Sequence, residues 1–301
     1  MIDDTDVPVA GYRQEHVDRG TDHIGLHVYP DPEDALAPAV VIWPAMGVPA
    51  RYYRPFAELL VAARFAVIVA DLRGTGSSTP RPSRASRYGL AELVGDVEAV
   101  QEALRPRLAD RTTLLLGHSL GGQAALLHLA MSDEPTVDGL VLVAVGLPFF
   151  RAYPGRRGAA VLPYTQSIAA TSALLRVWPG WGFGGRQAHG VIRDWGYTAR
   201  HGRYPRLGGI DPERALRSVR TPVLAISVDE DRFTPASTVD YLVGKLPAAP
   251  VRREHYAASD RAGDIPVLAA PLGARLDHFA WVRAAGPLAD RVATFAAALS
   301  N

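Results

Sequence analysis

The order of apolar runs along the chain predicts an α/β fold: a mostly parallel central sheet with helices on both faces and one helical insertion. Uninterrupted runs such as Ala39-Val40-Val41-Ile42-Trp43 and Gly139-Leu140-Val141-Leu142-Val143 read as strands buried on both sides. Segments with apolar residues three and four apart separate them. That strand–helix alternation requires crossovers and therefore a parallel sheet. The alternation stops over residues 147–208 and resumes afterwards, so this segment interrupts one domain.

The elements follow in order. Residues 1–12 read as a loose arm. Residues 13–18 and 24–29 alternate as two short strands around Asp18-Arg19-Gly20-Thr21-Asp22 and should make an antiparallel edge. The strand ending at Trp43 leads into the loop Pro44-Ala45-Met46-Gly47-Val48-Pro49. Residues 53–64 read as a helix with Phe56, Leu59, Leu60 and Ala63 on one face. Residues 65–70 are a strand, and 90–104 a helix with Leu93, Val97, Val100 and Leu104 in register. A strand ending at Leu116 turns at once into a helix opening at Leu120. Within the insertion, residues 167–177 give the clearest helix. Beyond it, 221–228 is a strand, 235–246 a helix, 251–256 the last strand and 281–299 the last helix. The core is thus residues 1–146 and 209–301, with 147–208 a helical lid.

Composition narrows the function classes. The 301 residues are 48% apolar, enough for one large core. Lys and Arg (32) nearly cancel Asp and Glu (31) with no long block of one sign, which argues against a nucleic-acid partner. The chain has no cysteine, so thiolate chemistry and disulfides are excluded. No run reaches the ~18 apolar residues a membrane span needs, and the acidic start Met1-Ile2-Asp3-Asp4 is no secretory signal, so a cytoplasmic location is expected. No His/Asp/Glu cluster has metal-ligand spacing, and neither metal nor cofactor is expected.

The strand-to-helix turn carries Gly117-His118-Ser119-Leu120-Gly121-Gly122. A turn this sharp strains its middle residue and leaves no room for side chains two positions away, which is the Gly-x-Ser-x-Gly nucleophile elbow. Ser119 is the candidate nucleophile, held over a helix N-terminus. A serine hydroxyl needs a base, and the base an acid to orient it, in the chain order Ser, acid, His. The loop Asp229-Glu230-Asp231-Arg232-Phe233-Thr234-Pro235 offers three carboxylates. Asp231 is the leading candidate and Asp229 the alternative. Of the histidines beyond, His278 lies in a loop before the last helix, whereas His255 falls inside a strand; His278 is favoured. His118 adjoins the serine as a packing residue, and His189 and His201 belong to the insertion. Oxyanion donors are expected from the backbone N–H of Leu120 and from the loop after Trp43, with Met46 favoured over Ala45. Asp71-Leu72-Arg73-Gly74-Thr75-Gly76 reads as a braced structural loop, since it lacks the third glycine of a dinucleotide fingerprint.

Together, the Pro44–Pro49 loop with Tyr53-Arg54-x-Phe56, the Asp71–Gly76 loop, the Ser119 turn, Arg200-His201-x-Arg203-Tyr204 and His278-Phe279 resemble the α/β-hydrolase superfamily. Within it the chain is similar to a branch of predicted bacterial serine α/β hydrolases. Pro44-Ala45 stands where the superfamily usually has His-Gly, a feature of that branch, and residues 257–270 are longer than usual before the histidine. The resemblance implies an α/β-hydrolase fold and acyl chemistry but fixes no substrate. The leading expectation is a serine hydrolase of a small hydrophobic ester or thioester. An acyltransferase on the same residues and a non-catalytic ligand-binding relative are the alternatives. The lid is rich in aromatics, and Trp178, Trp181 and Trp195 are expected to face substrate.

Overall fold

The computed structural model describes residues 11–132, 137–258 and 264–300. In chain order the elements are β1 (Arg13–Arg19), β2 (Asp22–Val28), β3 (Ala39–Trp43), α1 (Arg54–Ala62), β4 (Ala66–Ala70), α2 (Leu90–Leu108), β5 (Thr113–His118), α3 (Leu120–Met131) and β6 (Gly139–Val143). Then come α4 (Arg157–Leu175), β7 (Val177–Trp178), β8 (Gln187–Ala188), α5 (His189–His201) and α6 (Pro212–Leu216). The chain closes with β9 (Val223–Val228), α7 (Ala236–Val243), β10 (Val251–Ala257), β11 (Val267–Ala269) and α8 (Gly286–Leu299).

The main sheet runs β1-β2-β4-β3-β5-β6-β9-β10-β11. Its β1–β2 and β2–β4 pairs are antiparallel, and every pair from β4 across to β11 is parallel. Because successive strand residues face opposite sides, β3 feeds two cores at once. Val41 and Trp43 pack under α2 and α3, whereas Val40 and Ile42 pack under α1 and α8. Helix α3 is buried along almost its whole length, which explains its nearly continuous apolar sequence. No helix among the described residues is long and apolar enough to cross a membrane.

Several element limits differ from the sequence reading. The clearest helix of the insertion begins at Arg157, ahead of the expected 167, and stops at Leu175, where Arg176 takes a left-handed conformation at φ 60°. Pro163 lies within it. The expected last strand has a further neighbour, β11, too short to carry a periodic signal. Part of the long segment before it, residues 259–263, lies outside the described residues. The last helix begins at Gly286, preceded by a separate 3-10 turn, Ala280–Ala284.

Candidate active site

Ser119 sits between β5 and α3 with φ 51° and ψ −122°, a strained conformation for a residue with a side chain, costing on the order of 1–3 kcal/mol. The neighbours explain why it persists. A Cβ on Gly121 would lie 2.3 Å from the Pro44 carbonyl oxygen, and one on Gly117 would lie 2.1 Å from the Gly122 Cα. The main chain is packed so closely here that only glycine fits, and the hydrogen bond from Gly121 N–H to Pro44 O (3.1 Å) fastens the turn to the loop after β3.

The two oxyanion-donor candidates lie on this turn and on the loop after β3. Leu120, the first residue of α3, has no intrahelical acceptor for its N–H. In the loop after β3, the Ala45 N–H is already used: it donates to the Tyr53 hydroxyl at 2.8 Å. Among the described residues the Met46 N–H has no such partner, and Met46 lines the same cavity as Ser119. Between the two oxyanion candidates of that loop, Met46 is therefore the one left free.

Tyr53 ties this loop to the elbow. Its oxygen accepts from Ala45 and lies 2.6 Å from His118 Nδ1. Fully buried, its proton finds an acceptor only at Nδ1, so His118 carries its own proton on Nε2. Burial, with the neighbouring His278 ring, pushes the His118 pKa well below 6.5, consistent with a neutral imidazole. His118 is thus a packing residue that hydrogen-bonds locally, with its ring 4.8 Å from that of His278.

The acid and base candidates meet after β9 and before α8. His278 Nδ1 lies 2.8 Å from Asp231 Oδ2, and both are buried. Asp231 is held by the Phe233 and Thr234 N–H groups at 2.8 Å each on Oδ1 and by the Thr234 hydroxyl at 2.6 Å on Oδ2. Burial pushes this carboxyl up, but the His278 charge and these hydrogen bonds outweigh it and hold it below its ordinary value. The alternatives pair with each other instead: His255 Nε2 is 3.9 Å from Asp229 Oδ1, and His255 Nδ1 bonds Ser227 Oγ at 2.7 Å. Neither His255 nor Asp229 lines the cavity.

Ser119 and His278 open into one cavity of about 460 Å³. Its roof is the insertion, chiefly Tyr164, Phe183 and Trp195. Phe183 stacks 4.8 Å from Trp195 and 6.0 Å from Phe233. Of the three tryptophans expected to face substrate, Trp195 lines the cavity. Trp178 does not: it is buried under the lid, and its indole N–H donates to the Phe183 carbonyl at 2.8 Å. Trp181 does not either, being 67% exposed on the outer side of its loop. Lid aromatics thus divide into lining, packing and surface roles that composition alone could not separate.

Sequence reasoning missed Thr234, Tyr53 and Phe183. The Asp231-x-x-Thr234 spacing is a turn signal in which the carboxylate takes backbone N–H groups two and three residues on, and could have found Thr234. The partnership of Tyr53 with His118 spans 65 residues and leaves no local signal. Asp71 behaves as the braced loop predicts, accepting from the Ala50 and Ser77 N–H groups at 2.6 and 2.8 Å. Arg73 is likewise structural, bound to the buried Asp96 at 2.7 Å. Among the described residues no group of three His, Asp or Glu could hold a metal.

Comparison with known proteins gives consistent matches. Residues 35–209 match the family described as serine aminopeptidase, S33 (Hydrolase_4). A protein of Pantoea ananatis described as a candidate carbamate hydrolase, RutD, is 25% identical over 226 residues, 71% of this chain and 79% of that one. The esterase RhEst1 of a Rhodococcus species superposes with a TM-score of 0.58 at 20% identity, covering 96% of this chain and 99% of its own. A thioesterase domain from the curacin biosynthetic pathway does so with a TM-score of 0.58 at 17% identity, covering 95% and 99%.

Proposed function

We propose, on the premise that the chain belongs to the serine aminopeptidase S33 (Hydrolase_4) family of α/β hydrolases and is a serine hydrolase, that it cleaves small carboxylic esters or thioesters through an acyl-enzyme on Ser119. The observation that carries this reading is the buried Asp231–His278 hydrogen bond opening into the cavity that Ser119 floors. In this reading His278 takes the Ser119 proton as the hydroxyl oxygen attacks the carbonyl carbon. Asp231, bonded to Nδ1, fixes the tautomer that leaves Nε2 free to act. The Leu120 and Met46 N–H groups stabilise the oxyanion. His278 then delivers the proton to the leaving group, and water releases the acid by the reverse route. Trp195 and Phe183 offer an apolar wall, which suits a hydrophobic acyl group. The esterase and thioesterase likenesses support this substrate class.

The test is turnover of p-nitrophenyl esters from acetate to decanoate. Wild-type protein should hydrolyse them, and Ser119→Ala and His278→Ala should each lose activity to near background, because triad members act as a unit. Undiminished turnover by Ser119→Ala would overturn the assignment.

A further inference from the structure

The catalytic cavity has a one-sided charge. Besides His278, the ionisable side chains of charged type that line it are Arg157, from the first turn of α4, and Arg232, from the loop that carries Asp231. No Asp or Glu lines it. Both arginines line the cavity and are exposed, which sets them at its opening rather than under the roof. Neither forms an ion pair among the described residues. The carboxylates of the same loop are taken elsewhere: Asp229 faces His255 and Asp231 faces His278.

Arg157 is held in place by its Nη2, which donates to the Arg232 carbonyl. The buried Tyr153, which lines the same cavity and donates to the Phe233 carbonyl at 2.6 Å, feels this charge. Burial and the Asp231 carboxylate push the Tyr153 phenol up, and Arg157 opposes them. The Arg157 guanidinium therefore sits over the acid loop, against main chain one residue from Asp231. Arg232 makes no side-chain hydrogen bond among the described residues and is free to turn toward a ligand. A substrate whose scissile carbonyl lies at Ser119 thus has the rings of Phe183 and Trp195 along the wall and two unpaired guanidiniums at the opening. The whole chain carries a formal charge of only +1, so this pair is a local feature and not part of a general excess.

We propose that Arg157 and Arg232 select esters that carry a carboxylate at the end of a short methylene chain: half-esters of dicarboxylic acids, or esters of ω-hydroxy acids. This rests on the ester-cleaving reading above and narrows its substrate class. The methylenes pack on the aromatic wall, and the carboxylate takes the paired N–H edge of a guanidinium. Chemistry at Ser119 is unchanged. The Ser119 oxygen bonds the acyl carbon, the bond from that carbon to the alcohol oxygen breaks, and His278 delivers the proton to that oxygen. Water then releases the acid.

The experiment measures hydrolysis of two matched pairs by pH-stat at low salt. Methyl hydrogen suberate is compared with dimethyl suberate, counted per ester group, and 6-acetoxyhexanoate with its methyl ester. In one pair or both, kcat/KM should be about fivefold higher for the carboxylate than for its neutral partner, as two exposed charge contacts allow. The pair that shows it tells whether the acyl or the alcohol half reaches the arginines. Raising the salt to about 0.5 M should bring the ratio toward one. Arg157→Gln and Arg232→Gln should each lower the ratio through KM, and the double variant should abolish it. Arg151→Gln should keep it, because the Arg151 guanidinium lies over the Phe150 ring at 5.3 Å and does not line the cavity. Equal kcat/KM within both pairs, or a ratio that the double variant leaves intact, would overturn the proposal. So would a double variant that slows charged and neutral esters alike, which is a structural effect on the acid loop. If none of these esters nor p-nitrophenyl acetate is cleaved, the hydrolase reading itself fails. The arginines are then tested by calorimetric titration of methyl hydrogen suberate into Ser119→Ala: binding lost on adding both arginine substitutions supports them, and no binding overturns the proposal.

Discussion

The floor of the cavity hangs from strand ends, whereas its roof is aromatic rings and glycine main chain carried between α4 and α5. The floor is braced by directional polar bonds: Asp231 takes three donors besides His278, and Tyr53 links Ala45 to His118. Roof contacts are ring on ring, such as Phe183 with Trp195 and Tyr164 with Phe183 at 6.3 Å. Hydrogen bonds are directional and costly to leave half-made, while apolar contacts scale with area. Floor substitutions should therefore act steeply and all-or-none, and roof substitutions should grade selectivity.

The largest effect should come from the acid. Asp231→Asn keeps the shape but favours the wrong His278 tautomer, and kcat for p-nitrophenyl acetate should fall by roughly 10⁴-fold. Asp229→Asn, whose partner is His255 outside the cavity, should change kcat less than twofold. The reverse ranking would move the acid by two residues.

Support beneath the floor is tested by acid. His128, buried in α3, has its pKa pushed by burial from 6.5 down to about 4. The unfolded chain therefore binds the proton first as pH falls, so stability is lost from pH 6.5 downward and the loss levels off near pH 4. That window contains about 3 kcal/mol. His128→Leu should flatten the acid limb of urea-denaturation stability measured between pH 7.5 and 4.5 by a comparable amount.

Tyr53→Phe removes the link between oxyanion loop and elbow. The Ala45 N–H is then buried without an acceptor, and kcat should fall about tenfold with KM nearly constant, as expected for a loosened donor. A purely structural role would lower Tm and leave kcat of the folded enzyme intact.

The smallest effects should lie in the roof. Trp195→Ala should change the preference between butanoate and hexanoate esters by about fourfold per buried methylene. Trp181→Ala, on the surface, should leave chain-length preference unchanged. A Trp181→Ala effect as large as that of Trp195→Ala would erase the distinction between lining and exposed aromatics.

Legibility in the sequence follows the same division. The Ser119 turn was readable because its cause is local: strand, strained residue, glycine and helix follow within six positions. The central strands β3, β4 and β6 are readable because burial on both faces leaves no polar residue in them. Asp231 stood out only as one of three carboxylates, since its partner is 47 residues away. The sequence shows only part of helix α4 because its apolar residues do not form one stripe; it packs mainly on α5, and few of its side chains are fully buried. The roles of Trp178, Trp181 and Trp195 depend on how the loop between β7 and β8 folds back, which no periodicity encodes. The glycines of that loop are legible as glycines, but their contact with Gly47 is a long-range fact.

The central claim is that Ser119 carries the acyl group. Its most direct measurement is acid-quenched mass spectrometry of the intact protein after mixing with p-nitrophenyl butanoate, followed by peptide mapping. The account predicts a single butanoyl addition on the peptide holding Ser119, absent in Ser119→Ala and longer-lived when deacylation is slowed by His278→Gln after chemical acylation. A butanoyl group mapped to another residue, in protein that turns over the ester, would contradict it.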